Sequence, residues 1–239
     1  MQIPSVDINH RILILCPVYE HLPAVKLCLG SIMNVLHHRQ DVTCMLLDSH
    51  SSTSIKQYLD SLSHPKLYVH TFDTNIGKPN GINLWISQHL SSLCIPRILV
   101  SLDSDITFSI TSFDRLIAAT EAIENIGFLS MRYSNNRCNP ERNLWLPAQL
   151  FKGKDNQAYS IKRPVLCNVA GGLIAIPATV LEKDLAFELY PEATGKVRYP
   201  DDAKLYDKLK RKRRIMGYLN DTEATHWRSA DIVEYGHST

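Results

Sequence analysis

The stretch Arg97-Ile98-Leu99-Val100-Ser101-Leu102-Asp103-Ser104-Asp105 is the part of the sequence that decides the fold. Residues 98–102 form a short apolar run, which predicts a buried strand. Two carboxylates, one residue apart, follow it. Because a buried carboxylate is costly unless it is paired or bound to a metal, we expect both acids just beyond the C-terminal end of this strand. Ligands of open α/β sheets bind at that edge.

The spacing Asp-x-Asp at such an edge suits two kinds of structure. Aspartate and serine are common turn residues, so a polar turn after the strand is one interpretation. The other is a metal site, because carboxylate oxygens are hard ligands for Mg²⁺ or Mn²⁺, and such an ion can bridge to the phosphates of a nucleotide. The rest of the chain bears on this choice.

Composition indicates one globular α/β domain. The chain has 239 residues, of which 44% are hydrophobic and 21% charged, as in proteins with a full core. The formal net charge is only +2, so bulk electrostatics predicts neither a nucleic-acid nor a membrane partner. Residues 1–9 lack the pattern of a secretory signal, and no apolar run approaches the length of a membrane span. We therefore expect a cytoplasmic protein without a transmembrane segment.

The six cysteines are scattered along the chain without CxxC spacing. They are Cys16, Cys28, Cys44, Cys94, Cys138 and Cys167. In a chain without an export signal, this arrangement favours buried thiols over disulfides or a zinc site.

In the first half of the chain, apolar runs alternate with helical patterns. Strands are predicted at 11–16, 42–47, 67–72 and 98–102, and helices at 23–36, 54–62 and 80–92. We expect Pro17 to end the first strand, because proline removes a ladder donor. Three strand–loop–helix units closed by a further strand predict a mostly parallel sheet with helices on both faces. The loops that follow the strands should then converge at one edge.

The second half is less regular. A helix is predicted at 111–123 and a strand at 127–132, and residues 133–159 are expected to form an irregular polar loop. Trp145 in that loop either packs or stacks on a sugar. Residues 164–176 contain Ala170, Gly171 and Gly172 between apolar runs, which favours either a close approach of a ligand or tight packing. A last helix is predicted from Asp202 through the basic run 208–214 to Gly217, with the charges on a solvated face.

Four segments, in order, resemble those of a family 2 glycosyltransferase with the GT-A fold. Cys16-Pro17-Val18-Tyr19-Glu20 resembles the Pro-x-Tyr/Phe-Asn segment after the first strand, and Leu46 to Ser52 resembles "VVDDGST". Asn75-Ile76-Gly77 with Asn83 resembles "NxGxxxARN", and Asp103-Ser104-Asp105 stands where the family has its DXD motif. The resemblance covers nearly the whole chain. It implies one Rossmann-like domain over 1–239, with 1–108 binding the nucleotide sugar and 109–239 holding the acceptor-binding and catalytic-base half.

The resemblance also implies roles for individual residues. Those expected to contact the nucleotide sugar are Pro17, Tyr19, Glu20, Asp48, Asn75, Gly77, Lys78, Asp103, Ser104 and Arg228. Asp48 would accept a hydrogen bond from the base, typically from uracil N3–H; taken alone, it could equally cap the following helix. Asp105 and Asp103, with His226 as a looser match, would bind Mn²⁺ or Mg²⁺.

Tyr199 to Tyr206 resembles the family's "ED" motif, whose second acid begins a helix and acts as the catalytic base. By that match Asp202 is the base and Asp201 the adjacent acid. A base must lie within hydrogen-bond reach of the acceptor hydroxyl. Both acids would also be favoured at a helix N-terminus for purely structural reasons.

Three residues depart from the family's pattern. Ile82 stands where many members have an arginine that reaches the diphosphate, and Lys78 is a possible substitute at the helix start. Ser49 and His50 replace the second Asp and the Gly of "DDGS". We therefore expect a metal-dependent inverting transferase that moves a sugar from a nucleotide diphosphate to a hydroxyl. A non-catalytic binding module of the same fold, or an enzyme acting on modified nucleic-acid bases, are the alternatives.

Overall fold

A computed structural model describes residues 11–91, 94–134, 146–164, 172–190 and 201–227. The strands are β1 (Ile12–Val18), β2 (Val42–Asp48), β3 (Leu67–Thr71), β4 (Ile98–Leu102), β5 (Ile106–Phe108), β6 (Ile126–Tyr133), β7 (Gln149–Lys152), β8 (Ala158–Lys162), β9 (Leu173–Pro177) and β10 (Ile215–His226). The helices are α1 (Leu22–His38), α2 (Thr53–Asp60), α3 (Gly77–His89), α4 (Ile110–Ala122), α5 (Ala178–Lys183) and α6 (Asp201–Arg211).

All the strands belong to one sheet, in the order β3-β2-β1-β4-β9-β6-β10-β8-β7, with β5 paired to β10. The four strands predicted in the first half are parallel neighbours, as expected. In the second half, β9 runs antiparallel between β4 and β6, and β10 lies parallel to β6. The predicted α/β fold, with a largely parallel central sheet between helices, is confirmed.

Helices cover both faces of the sheet, which explains why its strands are apolar at successive positions. In β1, Ile12 and Ile14 face one core together with α1, α2 and α4. Leu13 and Leu15 face the other core together with α3, α5 and α6. Polar residues within these buried strands are few, such as Ser101 in β4, and the loops at the carboxyl edge carry the charged residues of the site.

Three predicted boundaries were wrong. β1 continues through Pro17 and pairs with β2 as far as Val18, which proline tolerates because the ladder with β4 has already ended at Leu15. The predicted loop at 133–159 contains β7 and the start of β8. The last helix ends at Arg211 rather than Gly217, and residues 215–217 begin β10.

The buried-thiol prediction is confirmed for Cys16, Cys28 and Cys44, which are free and buried. Cys94 is free and partly exposed, whereas Cys138 and Cys167 lie outside the described residues. None of the helices in the described part of the chain combines the length and the apolar composition that crossing a membrane would require.

Candidate functional site

A cleft of about 550 Å³ opens at the carboxyl edge of the sheet. It lies where the loops after β1, β2, β3 and β4 converge, as the topology predicts. The predicted site residues that line it are Pro17, Tyr19, Asn75, Gly77, Lys78, Asp103, Ser104 and Asp105. Polar and charged side chains thus meet at the carboxyl edge of the sheet.

The loop after β1 turns sharply and presents an aromatic ring to the cleft. Glu20 and His21 both have left-handed backbone angles, with φ of 52° and 55°. The Oε1 atom of Glu20 accepts a hydrogen bond from the backbone N–H of Ser52 at 3.1 Å, which ties this loop to the start of α2. Tyr19 remains 48% exposed, so its ring is available to a flat ligand.

Asp48 ends β2 as a nearly fully buried carboxylate, 1% exposed. Its Oδ1 atom accepts from the backbone N–H of Ser51 at 2.9 Å, in the loop that precedes α2. The N-cap of α2 is Ser52, without a side-chain capping bond, so the capping role considered from the sequence is not observed. Its Oδ2 atom is buried and has no hydrogen-bond partner among the described residues. A buried acceptor without a partner is rare, so this oxygen is a candidate for binding a ligand N–H.

Ser49 joins two of the converging loops. Its hydroxyl donates to Oδ1 of Asn75 at 3.1 Å and accepts from the backbone N–H of Ile76 at 3.2 Å. The same Asn75 oxygen accepts from the N–H of Gly77 at 3.0 Å. Gly77 has φ of 72°, a conformation that glycine adopts without strain. The departure from "DDGS" at position 49 therefore fixes the loop that starts α3.

Lys78 lies in the first turn of α3 and forms an ion pair with Asp103. Its Nζ atom is 2.6 Å from Oδ1 of Asp103. Burial opposes the charge of Lys78, but the negative charge of Asp103, with a further contribution from Asp202, outweighs it, and the pKa of Lys78 is well above its usual range. Burial raises the pKa of Asp103, and the Lys78 ammonium limits that rise.

Gly172, just before β9, allows Asp103 to sit close to the chain. The backbone N–H of Asp103 donates to the carbonyl of Gly172 at 2.6 Å. A Cβ atom at position 172 would lie 2.5 Å from Cδ1 of Ile106 and 2.9 Å from the hydroxyl of Tyr133, closer than such atoms approach. That hydroxyl is buried without a hydrogen-bond partner among the described atoms.

Asp105 contacts the C-terminal strand. Its Oδ2 atom is 3.1 Å from Nε2 of His226, because β5 and β10 pair in antiparallel register with Ile106 opposite His226. Its Oδ1 atom is buried and has no partner among the described residues. Trp227, directly after His226, donates its backbone N–H to the carbonyl of Asp105 at 2.8 Å and lines the cleft.

Asp202, in the first turn of α6, lies near this cluster, since its charge contributes to the pKa shifts of Lys78, Asp103 and Tyr190. Tyr190 is buried, and its hydroxyl is 2.9 Å from Oγ of Ser101. Burial raises the pKa of Tyr190 to about 12.

The Lys78 ammonium lies 5.5 Å from the ring centroid of Tyr190. Asn83, on α3, holds this tyrosine through both of its backbone polar groups.

Solved structures similar to this chain are glycosyltransferases. A mannosyltransferase from Pyrobaculum calidifontis, in complex with GDP-Man and Mn²⁺, aligns over 91% of this chain with a TM-score of 0.64 and 15% identity. GalNAc-T7 with UDP, GalNAc and Mn²⁺ aligns over 93% with a TM-score of 0.60 and 11% identity. S. aureus TarS residues 1–349 in complex with UDP-GlcNAc aligns over 93% with a TM-score of 0.57 and 16% identity. The chain has the GT-A glycosyltransferase fold.

This chain matches only part of each of these proteins, namely 57%, 45% and 60% of their lengths in the order given. No family model matches the sequence. No curated protein matches it either. At these identities the likeness shows the GT-A fold alone.

Several predicted residues stand outside the cleft lining of this GT-A domain. Glu20 holds the α2 loop. Ile82 is completely buried in the core, so no side chain at that position reaches a diphosphate without leaving the core. Arg228, Trp145, Ala170, Gly171 and the side chain of Asp201 lie outside the described residues.

The basic run 208–214 is partly paired with acids. Arg214 contacts Asp184 at 2.6 Å, and Lys208 lies 3.9 Å from Glu188. These pairs reduce the positive charge that the run presents to solvent.

Sequence reasoning missed four residues that shape the site. Val18 and His21 line the cleft, as does Trp227, and Tyr133 places its hydroxyl beside Gly172. No local pattern marks Tyr133 or Trp227, because they reach the site through strand pairing with distant segments. Val18 lies inside the Pro-x-Tyr segment and His21 directly after it, so their positions could have indicated them.

Proposed function

We propose that this protein is a metal-dependent, inverting glycosyltransferase of family 2 that transfers a sugar from a nucleotide diphosphate sugar, with UDP as the nucleotide, to an acceptor hydroxyl. One observation carries the proposal. An Asp-x-Asp pair and a lysine at a helix start line the cleft at the carboxyl edge, and the lysine is ion-paired with Asp103. Asp202, at the start of a second helix, contributes to the pKa shifts of that lysine and of Asp103. The GT-A fold supports it, because solved structures with this fold include transferases in complex with GDP-Man, UDP or UDP-GlcNAc.

The nucleotide would lie across the loops after β1 and β2. The exposed ring of Tyr19 offers a stacking surface for the base. The unpartnered Oδ2 atom of Asp48 would accept the N3–H of uracil, which would satisfy a buried acceptor. The diphosphate would then lie near the start of α3, where helix amides and the Lys78 ammonium both favour a phosphate.

The residues present fit a divalent cation. Asp103, Asp105 and His226 offer two carboxylates and an imidazole, a donor set that suits Mn²⁺ or Mg²⁺. The buried, unpartnered Oδ1 atom of Asp105 is the observation that supports this fit. No group of three or more His, Cys, Asp or Glu residues in the described ranges is already arranged to hold a metal, so ligation requires a side-chain movement. When bound, the ion would neutralise the charge that develops on the leaving diphosphate.

Asp202 would act as the general base. The acceptor oxygen forms a bond to the anomeric carbon while the bond from that carbon to the diphosphate oxygen breaks. The carboxylate of Asp202 takes the proton of the acceptor hydroxyl, and the electron pair of the broken bond leaves with the nucleoside diphosphate. Displacement from the face opposite the leaving group inverts the anomeric configuration. In this scheme residues 1–108 bind the donor, and residues 109–239 supply the base and the acceptor side.

There are two alternatives. A non-catalytic module of this fold would bind nucleotide without turnover, and the buried Ile82 is the departure that favours it. An enzyme of modified nucleic-acid bases would use the basic run 208–214, of which Arg214 and Lys208 pair with Asp184 and Glu188. A salt-dependent DNA-binding titration tests this alternative, because phosphate contacts make affinity fall steeply with salt.

The test is thermal unfolding of the protein with UDP, GDP and their sugar conjugates, with and without Mn²⁺. A ligand present at 100 times its Kd stabilises by about 2.7 kcal/mol, which is about 5 to 10 °C for a chain of this size. We expect a shift with UDP only when Mn²⁺ is present, and its loss in Asp105→Asn. Asp60→Asn, at an exposed position ending α2, is the matched control.

Hydrolysis of the bound UDP-sugar, or its transfer to a panel of hydroxyl acceptors, then separates an enzyme from a binding module. Asp202→Asn should bind the donor normally and lose turnover. The absence of any nucleotide-dependent shift under every metal condition would contradict a donor site, and a shift without turnover in any acceptor panel would favour the module.

A further inference from the structure

Lys78 and Asp103 form an ion pair in the cleft, where the proposed phosphate ligand would need Lys78 and the proposed metal would need Asp103. Their charged atoms are 2.6 Å apart, and the side chains are only 22% and 29% exposed. An ion pair this close, with most of its surface away from water, is held more firmly than one on an open surface. A cation that binds Oδ1 of Asp103 would therefore compete with the ammonium.

The surroundings of the pair make the ammonium a local counter-ion. Asp103 also faces the charges of Asp105 and Asp202, both of which disfavour its ionised form. The Oδ2 atom of Asp105 lies 3.1 Å from Nε2 of His226. The charges of Asp105 and Asp202 act on Asp103. In the ligand-free protein the positive charge of Lys78 balances the negative charge of Asp103, as a divalent ion bound to the same carboxylate would.

Resting on the function proposed above, we propose that Lys78 is an internal cation that competes with the metal for Asp103 and makes the binding of metal and nucleotide diphosphate mutually dependent. The diphosphate draws the ammonium away from Asp103 and so frees this carboxylate for the metal. Conversely, a metal on Asp103 releases the ammonium to the phosphate. The lysine thereby becomes a specificity-determining residue that disfavours metal binding in the absence of the donor.

Thermodynamic linkage makes this inference measurable. If metal strengthens nucleotide binding by some factor, nucleotide must strengthen metal binding by the same factor. Part of that factor comes from direct contact between metal and phosphate, and part from the exchange of Lys78 between its two partners. Removing the ammonium should abolish only the second part.

The experiment measures Mn²⁺ binding by electron paramagnetic resonance of the free ion, and UDP binding by calorimetry, each with and without the other, at pH 7.5. The variants are Lys78→Met, which removes the charge, and Lys78→Arg, which keeps it. Lys154→Met is the control for net charge, because Lys154 is 68% exposed and pairs with Glu124 away from the cleft. Circular dichroism and the unfolding midpoint establish that each variant is folded.

For Lys78→Met we expect Mn²⁺ alone to bind about tenfold more tightly, and the coupling factor between Mn²⁺ and UDP to fall about tenfold, as removal of a nearby like charge requires. Lys78→Arg and Lys154→Met should keep the weak binding of Mn²⁺ alone.

If Lys78→Met still binds UDP but its affinity for Mn²⁺ is unchanged, the inference is overturned and the donor site stands. An arginine variant that behaves like the methionine variant would overturn it as well, because the charge would then not be the cause. If the unmodified protein binds no UDP under any metal condition, the proposed function itself fails, which is a separate and recognisable result.

Discussion

The Asn83 side chain holds Tyr190 in place beside the cleft, and its contribution to the free energy of unfolding can be measured directly. From the middle of α3 it donates from Nδ2 to the carbonyl of Tyr190 and accepts at Oδ1 from the N–H of the same residue. These contacts bridge 107 residues of sequence. They hold the tyrosine whose hydroxyl bonds to Ser101 at the end of β4 and whose ring lies beside Lys78.

Replacing Asn83 with alanine removes both hydrogen bonds at once. Each is worth about 1 kcal/mol net, so the loss should be about 2 kcal/mol, and it reaches about 4 kcal/mol if the backbone groups of Tyr190 stay dry and unpaired. Tyr190 is only 1% exposed, which favours the upper half of that range. For a chain of this length, a loss of 2 kcal/mol lowers the unfolding midpoint by about 4 to 8 °C.

The assay is urea unfolding followed by circular dichroism, with Asn80→Ala as the matched control. Asn80 lies on the same helix, and its Nδ2 atom bonds only to the exposed carbonyl of Ile76 one turn away. Its replacement should therefore cost less than about 0.5 kcal/mol. If the two alanine variants lose the same stability, the bonds to Tyr190 contribute nothing beyond an ordinary helix surface contact, and the reasoning is refuted.

Three further predictions concern other parts of the fold. Tyr190→Phe leaves the buried Ser101 hydroxyl unpaired and should cost about 1 to 2 kcal/mol in urea unfolding; Tyr190→Phe with Ser101→Ala should cost less than the sum of the single changes. Gly172→Ala should destabilise by about 1 to 3 kcal/mol, because its Cβ atom would lie 2.5 Å from the nearest core carbon; an unchanged midpoint would contradict this. Burial lowers the pKa values of His70 and His89, whose rings lie 6.2 Å apart. The folded protein therefore binds fewer protons than the unfolded chain below pH 6.5, and stability should be complete above that pH and fall below it; His89→Gln should flatten the fall in a pH series of thermal midpoints.

The first half of the fold was predictable from sequence because its information is local. Strands buried on both faces, such as β1 and β4, are continuous apolar runs, and the polar residues at their ends mark the carboxyl edge. The loops that follow them therefore converge at the cleft as predicted. The register of the strands was not needed for that conclusion.

The second half resisted prediction for identifiable reasons. The helix α6 ends in a Schellman motif, in which the N–H of Arg214 bonds to the carbonyl of Leu209 and the N–H of Arg213 to that of Lys210. Arg213 takes the left-handed conformation, with φ of 57°. Glycine usually occupies that position, and no glycine stands there to mark the end of the helix before Gly217. The helix was therefore predicted too long and the start of β10 was missed.

The position of the Asp105 carboxylate depends on that same missed strand. β10 pairs with β6 through two shifts of register and then with β5, which sets His226 opposite Ile106 and against Asp105. Trp227, which follows His226, donates its backbone N–H to the carbonyl of Asp105. The tripeptide Asp-Ser-Asp alone fixes which residues leave the sheet at its edge, whereas the direction of the second carboxylate is fixed by a contact with His226, which is 121 residues away in sequence. The turn interpretation is confirmed, because residues 104–105 form a turn in which the N–H of Ile106 donates to the carbonyl of Asp103 at 3.3 Å, and the metal site stays a proposal. The β5–β10 pairing in addition leaves one oxygen of Asp105 buried and unpartnered within the described residues, an arrangement that the tripeptide alone does not reveal.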